Sequence, residues 1–483
     1  MHYPNPFDFV PFTDHPFLKT REEYNALGER LSGYLEVRLK ALTPVHVVGY
    51  QVPGDVEGQS YMYRQDEQGC IPAASIRGCL RAFIEALTSS WVSQTTAEYK
   101  KVPGPRASDK RHVGFRTFAE YPNTGRRMSR ESPPAVHPDF KPRIRQDRKI
   151  DVASYLFGIV VEPEKDTETE QGPSAHKAKV WIEDAFIDNN DVIKGEHWVP
   201  DIRDTDPTKN SFMGGAKPSA SNWWYFQPAE IWRRDVQGRL MAEFIGDKFW
   251  GRKFYYHQDP KGCVEYYEKE WEYDRQRPFY RVHLECLQKE AETQSFRIYL
   301  DKVPLPLVVL LVKVLMPGPN IRHKLGYGKA YGYGSVEFSL ASARLRSDDS
   351  GRIPIPLQDL SSEMQAYSAV GWNRKQTVNR HLETLIDWQA LRHLARVLGW
   401  QGYENLKFTY PPFSSGFFKQ PVYFWDFENR TPHGVVIGSP VTKVNATEAR
   451  AITEQLFDIK KPIHFRQYQE TAEGWPIIKE RKP

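Results

Sequence analysis

Eleven residues, Leu325–Ser335 (LGYGKAYGYGS), constrain the fold of this chain more than any other stretch. Gly326, Gly328, Gly332 and Gly334 come in two pairs, with Tyr327, Tyr331 and Tyr333 among them and Lys324 and Lys329 alongside. Glycine admits positive φ and lets another backbone or a ligand come close. Lysine offers charge for a phosphate, and tyrosine a ring on which a base can stack. Spacing excludes two nucleotide-binding patterns. The Gly-x4-Gly-Lys-Ser/Thr loop is absent, and the glycines do not follow a strand and open a helix as a dinucleotide fold demands. They follow an apolar helical run, Leu305–Leu315, and lead into Ser335–Leu340, which alternates as a strand. Two readings stay open. Either Lys324, Gly326, Tyr327, Gly328, Lys329, Tyr331 and Gly332 face a nucleic acid, or the loop is a turn that packs two elements together.

Upstream, Tyr34–Val48 (YLEVRLKALTPVHVV) places Leu35, Val37, Leu39 and Ala41 on one face of a predicted strand. After a polar loop, IPAASIRGCLR opens a helix running to Leu87, with Ser75 as the expected N-cap and Ile76, Leu80, Phe83 and Leu87 on its apolar face. Arg77 and Arg81 lie four apart near the helix N-terminus, where free N–H groups also favour phosphate. Tyr155-Leu156-Phe157-Gly158 then precedes a strand-like Lys179–Phe186, and Tyr280–Leu287 and Phe296–Leu300 read as further strands. The skeleton is β-α-β followed by β-α-β, an α+β, ferredoxin-like arrangement shared with RRM domains.

Four blocks in this order carry a resemblance: the opening strand with Thr43-Pro44-Val45-His46, the IPAASIRGCLR block, LFG followed by Glu183-Asp184-Ala185, and KLGYGKAYGYGS. The chain resembles the RAMP superfamily of CRISPR-associated proteins, and most closely the backbone subunits of type III, RNA-targeting effector complexes. The resemblance spans roughly Gly33–Phe338. It implies a ferredoxin-like (RRM-like) RAMP core and a cytoplasmic, antiviral ribonucleoprotein whose partners are guide RNA, target RNA and other effector subunits. On this reading residues 1–32 form an N-terminal arm, 33–340 the RAMP domain with an insertion at about 88–149, and 341–483 a C-terminal extension.

Composition agrees with a globular, soluble chain: 13 Trp, 25 Tyr and 26 Phe accompany a net charge of only +5. The charge is uneven, because Lys100–Lys149 holds 14 Lys and Arg against 5 Asp and Glu. Arg126, Arg127, Arg130, Arg143 and Arg145 make this segment a candidate for ordering on RNA or a neighbouring subunit. Trp223-Trp224-Tyr225 reads as core or as part of a hairpin. The four cysteines form no CxxC pair and read as reduced thiols. Val303–Met316, the longest apolar run, is interrupted by Pro304, Pro306 and Lys313 and is too short to span a bilayer. A helix is expected over Asn379–Val397, after a linker at Arg344–Pro356.

RNA-cleaving relatives use an aspartate between the first strand and first helix. The resemblance therefore makes Asp55 the catalytic candidate, binding a divalent cation (magnesium) or steering a ribose 2′-hydroxyl as a metal-dependent endoribonuclease within a complex. Pro53-Gly54-Asp55 is also ordinary turn chemistry, and the loop lacks a tight glycine run before the acid. Glu57 is a possible helper, and Asp66 reads as a hairpin-turn residue. A non-catalytic, guide-binding subunit is the rival reading. A guide-processing nuclease would instead use His46 as general base and needs that ring exposed.

Overall fold

The computed structural model describes residues 7–52, 57–92, 140, 148–161, 174–200, 231–235, 240–243, 252–262, 281–348, 356–369, 372, 380–400, 423–425, 432–434, 441–443, 466–470 and 476–480. The strands that matter here are β1 (Arg30–Ala41), β2 (Val48–Val52), β3 (Glu57–Met62), β4 (Val180–Ile182), β5 (Val192–Pro200), β6 (Arg281–Leu287), β7 (Phe296–Pro304), β8 (His323–Lys324) and β9 (Ser335–Ser347). Most pair antiparallel, and with the helices they make a mixed α+β protein.

The alternation in β1 decides the centre. Leu35, Val37, Leu39 and Ala41 are all fully buried, each contributing about 1.5–3 kcal/mol if a large aliphatic side chain. The strand is flanked on both sides: β9 runs antiparallel to it from Val336↔Ala41 to Ser347↔Leu31, and β7 from Phe296↔Val37 to Pro304↔Arg30. The sheet order is β8-β9-β1-β7-β4. Register shifts at Leu340/Ser342 and Leu300/Val303 bend the two neighbours, which curls the sheet.

Two expected strands are shorter than their periodicity. The one predicted over Tyr34–Val48 leaves the ladder at Ala41, because Thr43 turns its side chain to the glycine loop, donating from Oγ1 to the Gly332 carbonyl (2.9 Å). The one predicted over Lys179–Phe186 breaks at Glu183-Asp184. Its first part is β4, while Ala185–Phe186 pairs with Gln68–Ile71 in another sheet.

Two helices cover one face of the central sheet. In α1 (Ala73–Leu87), Ile76, Leu80, Phe83 and Leu87 are buried, and α3 (Leu305–Leu315) is apolar except for Lys313. Both belong to one core cluster with β1. Ser75 is not the N-cap. The helix starts after Pro72, which puts Ser75 in its first turn, and the Asp184 carboxylate accepts from the Ala73 N–H (2.6 Å). The strand break at Asp184 thus caps α1 from a distance. The short α2 (Val152–Phe157) is capped by Asp151, which accepts from the Ser154 N–H (2.9 Å).

A second, four-stranded sheet has the order β5-β6-β3-β2, with β6 parallel to β3. The helix expected over Asn379–Val397 is two helices, α4 (Arg380–Leu385) and α5 (Trp388–Val397). Asp387 interrupts them by accepting from the N–H groups of Gln389 and Ala390. Leu382, Ile386 and Leu394 lie in the same core cluster as β1, and the linker expected from Arg344 begins inside β9. Of the insertion, Arg126, Arg127, Arg130, Arg143 and Arg145 lie outside the described residues, as do Trp223-Trp224-Tyr225. Among its described residues Trp91 and Phe140 are buried, each 1 % exposed.

Candidate nucleic-acid interface

The glycine loop folds onto the segment that follows β1, main chain against main chain. The Leu325 N–H donates to the Gly334 carbonyl, Tyr327 N–H to His46, and Gly334 N–H to Pro44 (2.9, 2.8 and 2.9 Å). Thr43 completes the latch, since its Oγ1 also accepts from the Ser335 N–H (2.9 Å). Gly326 and Gly334 sit at φ +84° and +78°, and a Cβ there would lie 2.3 Å from the His46 carbonyl oxygen and 1.9 Å from that of Leu325. Gly328 and Gly332 are left-handed as well, at +72° and +94°. Close backbone packing is sufficient reason for the glycines.

Lys324 is 8 % exposed. Its ammonium donates to the carbonyls of Tyr333 (2.9 Å) and Lys329 (3.3 Å), so it ties the loop to itself. Tyr331 and Tyr333 are buried, and Tyr327 alone of the three tyrosines offers its ring, at 39 % exposure. Lys329 lies 5.7 Å from the centre of the Tyr255 ring, and burial pushes its pKa down. Removing the Lys324 ammonium is therefore expected to loosen the fold rather than RNA contact. Lys324→Ala should lower stability by about 1–3 kcal/mol, the cost of buried carbonyls losing a donor, and leave the salt dependence of RNA affinity untouched. An unchanged thermal melt with a flatter salt dependence would instead mark Lys324 as a phosphate contact.

The two arginines of α1 also bond to main-chain carbonyls, Arg77 from an exposed position and Arg81 from a half-buried one. Arg77 donates to the Phe157 carbonyl, and Arg81 to the Gly158 carbonyl (Nη1, 2.9 Å) and to Glu85 (Nε, 2.8 Å). They hold the C-terminal end of α2, where a cation meets unsatisfied carbonyls and the negative end of the helix dipole. Arg81 is not on a solvated helix face; the LFG block and the RGCLR block are one structural contact. Ser75 is half-buried, its N–H bonded to the Pro72 carbonyl (2.9 Å).

His46 is fully buried and both ring nitrogens are engaged. Nδ1–H donates to the Glu285 carbonyl (2.7 Å), and Nε2 accepts from Ser60 Oγ (2.8 Å). Burial holds its pKa below the ordinary value. A ring in this state has no lone pair to offer, so the exposure that a general base needs is not met. Glu285 anchors the same corner. Burial opposes its charge, but the Met62 N–H, Arg64 and Lys194 outweigh burial and keep its carboxyl below the ordinary range.

Asp55 lies outside the described residues, in the connection from Val52 of β2 to Glu57 of β3. Asp66 is a turn residue as expected: with Glu67 it has positive φ (48° and 65°) between Gln65 and Gln68, which pair. Among the described residues no group of three or more His, Cys, Asp or Glu side chains is placed to hold a metal ion. What the sequence reading passed over is aromatic: Tyr50 and Tyr61, flanking the Asp55 loop, stack with ring centres 4.6 Å apart. The alternation in QSYMY was the available signal.

Residues 38–337, more than half of the chain, match the family model described as the RAMP superfamily. The chain belongs to the RAMP superfamily. The matched stretch opens within β1 and closes within β9, so it contains both partners of the latch, the two covering helices and the β2–β3 hairpin of this RAMP protein. Among solved structures it is similar to a chain titled "Type IV-B CRISPR Complex", at 12 % identity and a TM-score of 0.26, over 67 % of this chain and 95 % of that one. That likeness is too loose to carry weight. No curated protein matches it.

Proposed function

We propose that this RAMP protein is a backbone-type subunit of a CRISPR ribonucleoprotein, of the type III, RNA-targeting class, which grips guide RNA and presents paired target RNA for cutting. The observation that carries the reading is the family match across residues 38–337. The sheet supports it: β9, β1, β7 and β4 lie side by side in that order, with α1 between the first and second strands in sequence and α3 between the third and fourth. That order is compatible with the ferredoxin-like arrangement proposed for the core. The sealed His46 argues against guide processing by that histidine. Cutting is assigned to Asp55, with magnesium as the cofactor proposed for it. Partners are guide RNA, target RNA and other effector subunits, in the cytoplasm. Among the described residues no helix is long and apolar enough to cross a membrane.

Guide RNA would be held by its backbone and shape, because sequence is read by base pairing. The purified full chain is therefore expected to bind single-stranded RNA of any sequence. Its log affinity should fall linearly with log salt, with a slope of about −0.7 per phosphate neutralised. Absence of binding at low salt would overturn the proposal, as would affinity that follows one sequence only.

A further inference from the structure

One face of the four-stranded sheet is exposed along β2 and carries an aromatic platform there. Side chains of adjacent ladder partners share a face. On one face Ser60, Met62, Val282 and Leu284 are buried. The opposite face presents Tyr50 against Tyr61, Val52 against Gln59, and Gln59 against His283. The rings of Tyr50 and Tyr61 are nearly parallel, 16° apart, and the Tyr61 hydroxyl donates to Gln59 Oε1 (2.5 Å). Tyr50 is 59 % exposed and Val52 49 %. The strand that bears them, β2, is the outer edge of its sheet and is exposed at all five residues.

An exposed tyrosine backed by a second, parallel ring is a rigid flat surface, held in place before any ligand arrives. A flat π-face is what a nucleobase stacks on, whatever its identity. Arg281 supplies positive charge on the same face, its guanidinium 4.7 Å from the centre of the Trp198 ring. Such a pairing of rings and cation suits a nucleic-acid strand, whose bases stack while its phosphates are attracted. The same feature is separate from the glycine loop and from the α1 arginines, whose hydrogen bonds go to main-chain carbonyls and to Glu85.

We propose that this sheet face stacks a base of single-stranded RNA on Tyr50, with Tyr61 as the backing ring. This rests on the RNA-binding reading above and names where the contact is made. The test compares the full chain with Tyr50→Ala, Tyr50→Phe and the Tyr50→Ala/Tyr61→Ala pair. Each is titrated with labelled oligouridine and oligoadenosine over a salt series, with circular dichroism as the check on folding. The alanine variants are expected to bind about tenfold more weakly to both oligonucleotides, as loss of a stacking ring does. Tyr50→Phe should bind like the wild type, and the salt slope should be the same in all four proteins, because no charge is removed. Photocrosslinking of 4-thiouridine RNA should map to the peptide containing Tyr50.

Wild-type affinity in the folded double variant overturns the platform while the RNA-binding reading stands. A wild-type chain that binds no RNA removes that reading and this one with it. Unchanged RNA affinity together with altered self-association would make β2 a protein-docking edge, which also overturns the proposal.

Discussion

Gly334→Ala is expected to cost the protein about 4–5 kcal/mol, a third or more of the stability of an ordinary domain. Two contributions add. An alanine at φ +78° is strained by about 1–2 kcal/mol. The larger part comes from its Cβ, which would meet the Leu325 carbonyl oxygen at 1.9 Å. The atoms concerned are main chain on both sides, so no side chain can swing away. Relief requires parting the Leu325–Gly334 and Gly334–Pro44 hydrogen bonds, and a buried group left unpaired costs about 1–3 kcal/mol. Gly78→Ala is the control. A Cβ there meets nothing within 4 Å on an exposed helical position, so the substitution should stabilise by about 0.5–1 kcal/mol. Urea titration of both variants decides the matter. A Gly334→Ala midpoint close to wild type would show that the loop is looser than its contacts imply.

Asp55→Asn should lower cutting of paired target RNA by orders of magnitude while leaving guide binding intact. The amide keeps the shape and hydrogen bonding of the side chain and removes its charge. A carboxylate repels phosphate in the ground state and serves only where charge or geometry changes in the transition state. Single-turnover cleavage by the assembled complex in magnesium is the measurement, beside guide affinity of the same samples. Asp66→Asn should behave as wild type, because its place is a hairpin turn. Full cutting by Asp55→Asn would take Asp55 out of the mechanism. A wild-type complex that cuts under no metal condition would leave a guide-binding scaffold.

The regular core was legible because its signal is local. β1, α1 and α3 announce themselves through the spacing of Leu35, Val37 and Leu39, of Ile76, Leu80 and Phe83, and of the run from Leu305. The breaks were not legible. Thr43, Asp184 and Asp387 end or divide elements by bonding to backbone groups, and alternation continues past each of them. The candidate contacts look freer in the sequence than they are in the fold for a related reason. Lys324, Arg77 and Arg81 look like free cations in a linear string, but their acceptors are main-chain carbonyls, which every residue carries and no motif marks. Conversely Tyr50 and Tyr61 belong together only once β2 and β3 pair.

The position of β1 has a consequence for how the protein is made. Its two neighbours in the sheet, β7 and β9, begin at Phe296 and Ser335, so the central strand leaves the ribosome long before either exists. At ordinary elongation rates of about 5–20 residues per second, the wait for the first of them is about 13–50 seconds. Throughout it an apolar strand has both edges open, the condition that invites pairing with other nascent chains. Yield in the cell is then set by what shields residues 30–41 during synthesis, and the chain reaches safety only when its last core strand arrives.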